Sequence, residues 1–172
     1  MKDIFNSFEE LHDFLNKDKT ILWLYTDGSC YAKKRQGGWG WILKRYMGGH
    51  LEHLNQNNGF ESDTTISRME MSAILDGLLY LVESENTEPV CVISDSQFIV
   101  NSFNKGWFRS WAQVDFIGRP NDDLWRMFLK VFQIKGFPLK FVHTRGHDKG
   151  MEIHKEGNNQ VDQLCSYKNY FK

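Results

Sequence analysis

The chain has 172 residues, 41% hydrophobic and 15% aromatic, which suits a single domain built on one core. Its formal net charge of −1 argues against a general nucleic-acid binder. No apolar run is long enough to span a membrane, and Met1-Lys2-Asp3-Ile4-Phe5 lacks a signal-peptide pattern, while Cys30, Cys91 and Cys165, odd in number and without metal-type spacing, fit a reduced, cytoplasmic setting.

Residues 4–16 read as an amphipathic helix, with Ile4, Phe8, Leu11 and Leu15 at helical spacing. The run Ile21-Leu22-Trp23-Leu24-Tyr25 predicts a buried strand that ends at Thr26-Asp27-Gly28. Two strands follow over 38–46 and 50–60, joined by a Gly48-Gly49 turn. Residues 68–84 place Met71, Ile74, Leu75, Leu78, Leu81 and Val82 on one helical face. Then come a short strand at Val90-Cys91-Val92-Ile93 and helices over 96–104 and 121–134. A strand over 138–143 and a helix over 158–168 complete the chain. The order, a helix and then βββαβαβα, predicts an α/β fold with one mixed sheet covered by helices. In such sheets, sites gather at the carboxyl ends of strands, where Asp27 and Asp95 are expected.

Four carboxylates stand in contexts that suit metal ligands: Asp27 in Thr26-Asp27-Gly28-Ser29, Glu70 after Arg68-Met69, Asp95 in Ser94-Asp95-Ser96-Gln97, and Asp162 after Asn158-Asn159-Gln160-Val161. Taken singly, each has an ordinary explanation. Asp27-Gly28 is a turn signal. Ser67-x-x-Glu70 matches a capping box. Asp95 suits a helix cap, and Asp162 a solvated helix face. Taken together, they predict convergence of four negative charges, which repel unless a cation joins them. An all-oxygen set selects hard ions such as Mg²⁺ or Mn²⁺ and points to metal-assisted phosphoryl chemistry. Neutralising the four raises the formal charge from −1 to +3, and Lys33-Lys34-Arg35 and Lys44-Arg45 cluster positive charge locally. A patchy phosphate-binding face is consistent with that balance.

These runs, with Gly37-Gly38-Trp39-Gly40, Gly106-Trp107, Asn121-Asp122-Asp123-Leu124-Trp125 and Gly146-His147, resemble the type 1 ribonuclease H family over about residues 21–168. The resemblance implies a ribonuclease H-like fold with a five-stranded mixed sheet. Residues 21–172 would form the catalytic domain, with residues 1–20 as a helical extension packed on the core. It implies endonucleolytic cleavage of the RNA strand of RNA–DNA hybrids, leaving 5′-phosphate and 3′-hydroxyl ends. Asp27, Glu70, Asp95 and Asp162 would hold two Mg²⁺ ions, with Mn²⁺ a substitute. His147 matches a mobile histidine that assists proton transfer or product release. Gln97 and the backbone around Gly28, Cys30 and Met69 would read the 2′-hydroxyl. Thr65 matches a DNA-phosphate grip and Trp107 an aromatic lining the DNA channel. Asn158 falls among the expected substrate contacts. A monomer is implied.

Three departures stand out. Ile66 and Ser67 replace asparagines often found before the Arg-Met-Glu run, leaving Ser67 at an expected substrate position with fewer hydrogen bonds. Lys33 replaces an asparagine and offers a phosphate contact instead. Between Trp107 and Asn121, where some relatives carry a lysine-rich handle, only Arg109 and Arg119 are basic. That predicts weaker, more salt-tolerant hybrid binding. His143 is read as a packing residue of its strand, and His154 as a residue that competes with His147 for the histidine position. Two other readings stay open: a hybrid-binding module without catalysis, and a resolvase- or integrase-like nuclease.

Overall fold

The computed structural model describes residues 20–144 and 152–171. The expected N-terminal helix over 4–16 and His147 lie outside the described residues.

Five strands form one mixed sheet in the order β3-β2-β1-β4-β5. They are β1 (Ile21–Tyr31), β2 (Gln36–Met47), β3 (His50–Glu61), β4 (Val90–Ser94) and β5 (Leu139–His143). β1, β2 and β3 pair antiparallel. β4 and β5 join in parallel, each reached by helical crossovers. The helices are α1 (Ile66–Glu83), α2 (Gln97–Asn104), α3 (Trp107–Ala112), α4 (Asp122–Ile134) and α5 (Lys155–Leu164). The expected α/β fold with a five-stranded mixed sheet is therefore the observed one.

β1 is the central strand and is buried on both faces. Leu22 and Leu24 pack with Trp41, Leu43, Ile74 and Leu78 on the α1 face. Ile21, Trp23 and Tyr25 pack with Ile42, Ile93 and Val161 on the α5 face. The period-2 alternation of a strand divides its residues between these two layers. Truncating a residue such as Leu24, fully buried, to alanine costs about 2–5 kcal/mol.

The boundaries differ from the sequence reading in informative ways. β1 does not end at Asp27. It runs on to Tyr31, paired with β2 through Asp27–Gly40 and Tyr31–Gln36. The Asp-Gly pair is thus strand, because β2 supplies hydrogen bonds along its whole length. α1 begins at Ile66, capped by Thr65, whose hydroxyl accepts from the Arg68 amide at 3.3 Å. Ser67 lies inside the helix and is exposed, so it is not the cap. Asp95 is not a cap either: Ser96 takes that role for α2. α3, six residues after Gly106, was not expected, being too short for a periodic signal. α5 starts at Lys155 rather than 158, and a separate 3₁₀ turn, Tyr167–Asn169, follows its end at Leu164.

Among the described residues no helix is long and apolar enough to cross a membrane.

Candidate active site

β1 and β4 run parallel from Leu22 opposite Val90 to Tyr25 opposite Ile93. The Thr26 hydroxyl donates to the Ile93 carbonyl at 2.9 Å, a last link before the strands part. By the same register Asp27 and Asp95 stand level two places further on. β4 ends at Ser94, whose carbonyl accepts from the Thr144 amide at 3.1 Å. A gap therefore opens beyond these strand ends, with Asp27 on one rim and Asp95 on the other.

α5 closes a third side. Val161 is buried in the core layer beneath it, which carries its neighbour Asp162 to the gap. Thr26, Asp27, Ile93, Asp95, Thr144, Asn158, Val161 and Asp162 line one cavity of about 360 Å³. A larger cavity, of about 550 Å³, lies among Phe103, Phe108, Phe132 and Phe141 and carries no carboxylate. Volume alone would choose the wrong site; the concentration of acidic groups selects the smaller one.

Glu70 arrives from the opposite face of β1. It sits just past the first turn of α1, half-buried, and feels the charge of Asp95. Gly28 makes this approach possible. A Cβ there would lie 2.6 Å from the Glu70 amide nitrogen and 2.8 Å from the Met69 carbonyl carbon.

The electrostatics follow from that crowding. Burial pushes the Asp27 carboxyl up to about 8; the charge of Asp95 and the charge and hydrogen bond of Asp162 add to this, while the Gly28 amide, donating to Asp27 Oδ1 at 2.8 Å, opposes it. Burial, then Asp95, pushes Glu70 up to about 7. Asp95 is also raised, first by desolvation, against its own backbone amide and the nearby His143. Yet Asp95 is exposed by surface area, so solvent screens its shift and Asp27 carries the larger effect.

Could these residues hold divalent ions? The donors are hard carboxylate oxygens, mutually repulsive and short of counter-charge, which fits Mg²⁺ or Mn²⁺. The Asn158 amide nitrogen, buried on the cavity wall, has no hydrogen-bond partner among the described residues, a polar group left ready for a ligand. Against this, no three His, Cys, Asp or Glu side chains among the described residues stand in a ready-made cage. The carboxylates share a cavity and a field, and closing them on an ion falls to rotation of their short side chains.

The remaining expected residues scatter around this centre. Gln97 is exposed at the start of α2, Lys33 is exposed in the turn after β1, and Met69 is fully buried. Cys30 is half-buried with its thiol 3.9 Å from the Thr64 carbonyl. Trp107 is 37% exposed and stands outside the buried core. It joins Phe98 and Trp111, at centroid distances of 6.2–6.4 Å, in an aromatic surface. The Arg119 guanidinium lies 4.1 Å over Trp111, and Lys105 lies 5.7 Å over Trp107. Sequence reasoning missed Phe98 and Trp111, although the i, i+4 spacing of the two tryptophans was there to find. His143 does more than pack: its Nε2 lies 3.1 Å from the Asp95 carbonyl. His154, read as a competitor of His147, is instead fully buried and hydrogen-bonded to Tyr25.

Comparison with known proteins identifies the family and the fold. A family profile described as RNase H matches residues 19–169. Ribonuclease H of Campylobacter jejuni is 34% identical over 129 residues, covering 75% of this chain and 81% of that protein. The protease–reverse transcriptase of prototype foamy virus superposes with a TM-score of 0.73 at 21% identity; the match covers 91% of this chain and 21% of the viral one, so this chain spans about a fifth of its length. LC11-RNase H1, solved in complex with RNA/DNA hybrid, superposes with a TM-score of 0.60 at 22% identity over 84% of this chain and 93% of that one. At such identities the two structural likenesses speak for the fold.

Proposed function

The chain belongs to the ribonuclease H family and is a ribonuclease H, and from that premise we propose that it hydrolyses the RNA strand of RNA–DNA hybrids endonucleolytically, leaving 5′-phosphate and 3′-hydroxyl ends. One observation carries the reading: Asp27, Asp95 and Asp162 line a single cavity where β1 and β4 part, with Glu70 close enough to feel the charge of Asp95.

Asp27, Glu70, Asp95 and Asp162 would hold two Mg²⁺ ions, with Mn²⁺ as a substitute. Such ions, when bound, supply water activation and charge stabilisation at the leaving oxygen. The chain's own residues do the rest. Raised carboxyls at Asp27 and Glu70 hold protons that ion binding must displace, so ion uptake strengthens as pH rises. The Asn158 amide donates to a phosphate oxygen at the cavity wall. Gln97, with the backbone of Gly28, Cys30 and Met69, reads the 2′-hydroxyls that distinguish RNA from DNA. Ser67 adds a hydroxyl to that contact. Thr65 receives a DNA-strand phosphate, and Lys33 adds a mobile positive charge. Trp107, with Phe98 and Trp111, offers aromatic faces to the DNA strand. His147 assists proton transfer or product release. A monomer in a reduced, cytoplasmic setting completes the proposal; the free thiols of Cys30, Cys91 and Cys165 support it.

The test is a hybrid labelled on each strand in turn, incubated with the protein and Mg²⁺. Cleavage confined to the RNA strand, with 5′-phosphate ends, supports the reading. Binding without cleavage would make the chain a hybrid-binding module, and cleavage of duplex DNA would make it another kind of nuclease.

A further inference from the structure

The same face of β1 presents Tyr25, Asp27 and Ser29, because side chains two apart share a face. α5 lies along that face and is fastened on both sides of Asp27. On one side Tyr25 Oη and His154 Nδ1 share a hydrogen bond of 2.5 Å in the core. His154 is the residue from which α5 departs, fully buried, its ring 4.2 Å from that of Trp23. One turn on, Gly157 rests on the Tyr25 ring; a Cβ there would lie 2.8–2.9 Å from three of its carbons. On the other side the Ser29 hydroxyl donates to the Cys165 carbonyl at 2.6 Å and accepts from the Tyr167 amide at 2.8 Å. Asp162 stands between these fastenings on the helix, as Asp27 does on the strand.

We propose that Tyr25 and His154 are positioning residues: their buried hydrogen bond seats the first turn of α5 on β1 and so sets where Asp162 stands relative to Asp27. This rests on the reading of both carboxylates as ion ligands. The physical argument is one of direction. Apolar contact alone holds a helix against a sheet but leaves it free to slide or roll, since the hydrophobic effect has no preferred direction. A hydrogen bond between two fully buried rings fixes both, since it survives only within a narrow range of distance and angle. Asp162 lies eight residues from His154, about 12 Å along the helix at 1.5 Å per residue. A small roll at the first turn therefore reaches the carboxylate almost undiminished, because the intervening backbone is rigid. Residues that orient ligands without touching the ion typically carry about 10–100-fold in affinity or activity.

The experiment compares the wild type with Tyr25→Phe, His154→Phe and His154→Asn, whose side-chain amide offers polar atoms near the position of Nδ1. Three quantities are read: Mg²⁺ binding by calorimetry without substrate, kcat and KM on a hybrid, and thermal midpoint. Tyr25→Phe and His154→Phe are expected to weaken Mg²⁺ binding and lower kcat by about tenfold each, with KM for hybrid unchanged. His154→Asn is expected to recover most of both. Tyr25→Phe removes a single oxygen and carries the test should His154→Phe not fold. Unchanged Mg²⁺ affinity and kcat in folded Tyr25→Phe would overturn the proposal, as would a rise in KM at constant kcat. Wild-type protein that binds Mg²⁺ without cutting hybrid would instead sink the catalytic reading, and the calorimetric comparison would still decide the role of Tyr25.

Discussion

Gly28 lets the N-terminal part of α1 ride directly on β1, so close that a Cβ would stand 2.6 Å from the amide nitrogen of Glu70. Contact at that range is with backbone, which cannot swing aside as a flexible side chain can. Strand and helix are thereby locked face to face, with Asp27 and Glu70 on adjoining residues of each. Gly28→Ala is expected to lower the thermal midpoint by several degrees and kcat by about 100-fold, the kind of loss that follows when reacting groups are displaced by about 1 Å. Circular dichroism melts together with hybrid-cleavage rates check it; a variant with near wild-type values in both would show that α1 has room to retreat.

Asp95 lies just past the end of β4, exposed, with its charge felt by Asp27 and Glu70. Asp95→Asn keeps size and hydrogen bonding but removes the negative charge. The variant is expected to fold and to bind hybrid with wild-type affinity, while losing nearly all Mg²⁺-dependent turnover. Substantial activity in it would remove Asp95 from the ion site.

Without ions, the acidic cluster makes stability depend on pH. Asp27, pushed to about 8, and Glu70, pushed to about 7, keep protons in the folded chain that the unfolded chain releases above about pH 4. The folded state then binds more protons between about pH 4 and pH 8, so its stability falls as pH rises through that window. Melting in EDTA is expected to give a lower midpoint at about pH 8.5 than at about pH 5, with Mg²⁺ restoring part of the difference at the higher pH. Asp27→Asn should flatten the profile. The same slope in wild type and variant would show that Asp27 does not drive it.

The short segment between α3 and α4 bears on affinity. Among the described residues, Arg119 lies 4.1 Å over Trp111 and Lys105 over Trp107 on the aromatic surface. With so few positive charges, the salt dependence of hybrid binding is expected to be shallow. Each phosphate neutralised contributes a slope of about −0.9 in a plot of log affinity against log salt, and Arg119→Ala should reduce it by about one contact. A steep wild-type slope would show that phosphates are neutralised elsewhere.

The central sheet was legible in the sequence because its strands are short apolar runs bounded by turn residues, and Gly48-Gly49 joins β2 to β3 as expected. The acidic residues were legible through their neighbours: Gly28, Ser96 and Asn158 differ from the surroundings of ordinary surface carboxylates. The Asp27-Gly28 pair misled, since the same dipeptide that favours a turn also suits a strand against which a helix must pack closely. Ser67 misled for a similar reason: Thr65, two residues earlier, captured the Arg68 amide first. Nothing local marked His154 as a core residue. Its partner, Tyr25, is 129 positions away, and pairing at that separation is created by the fold alone. The aromatic surface of Phe98, Trp107 and Trp111 likewise depends on α3, too short to announce itself.

The most direct test of the acidic centre is a crystal of the protein soaked in millimolar Mn²⁺ and measured at the manganese absorption edge. Anomalous peaks bounded by the side-chain oxygens of Asp27, Glu70, Asp95 and Asp162 are the predicted result. An empty map at that position, with manganese bound elsewhere or nowhere, would contradict it.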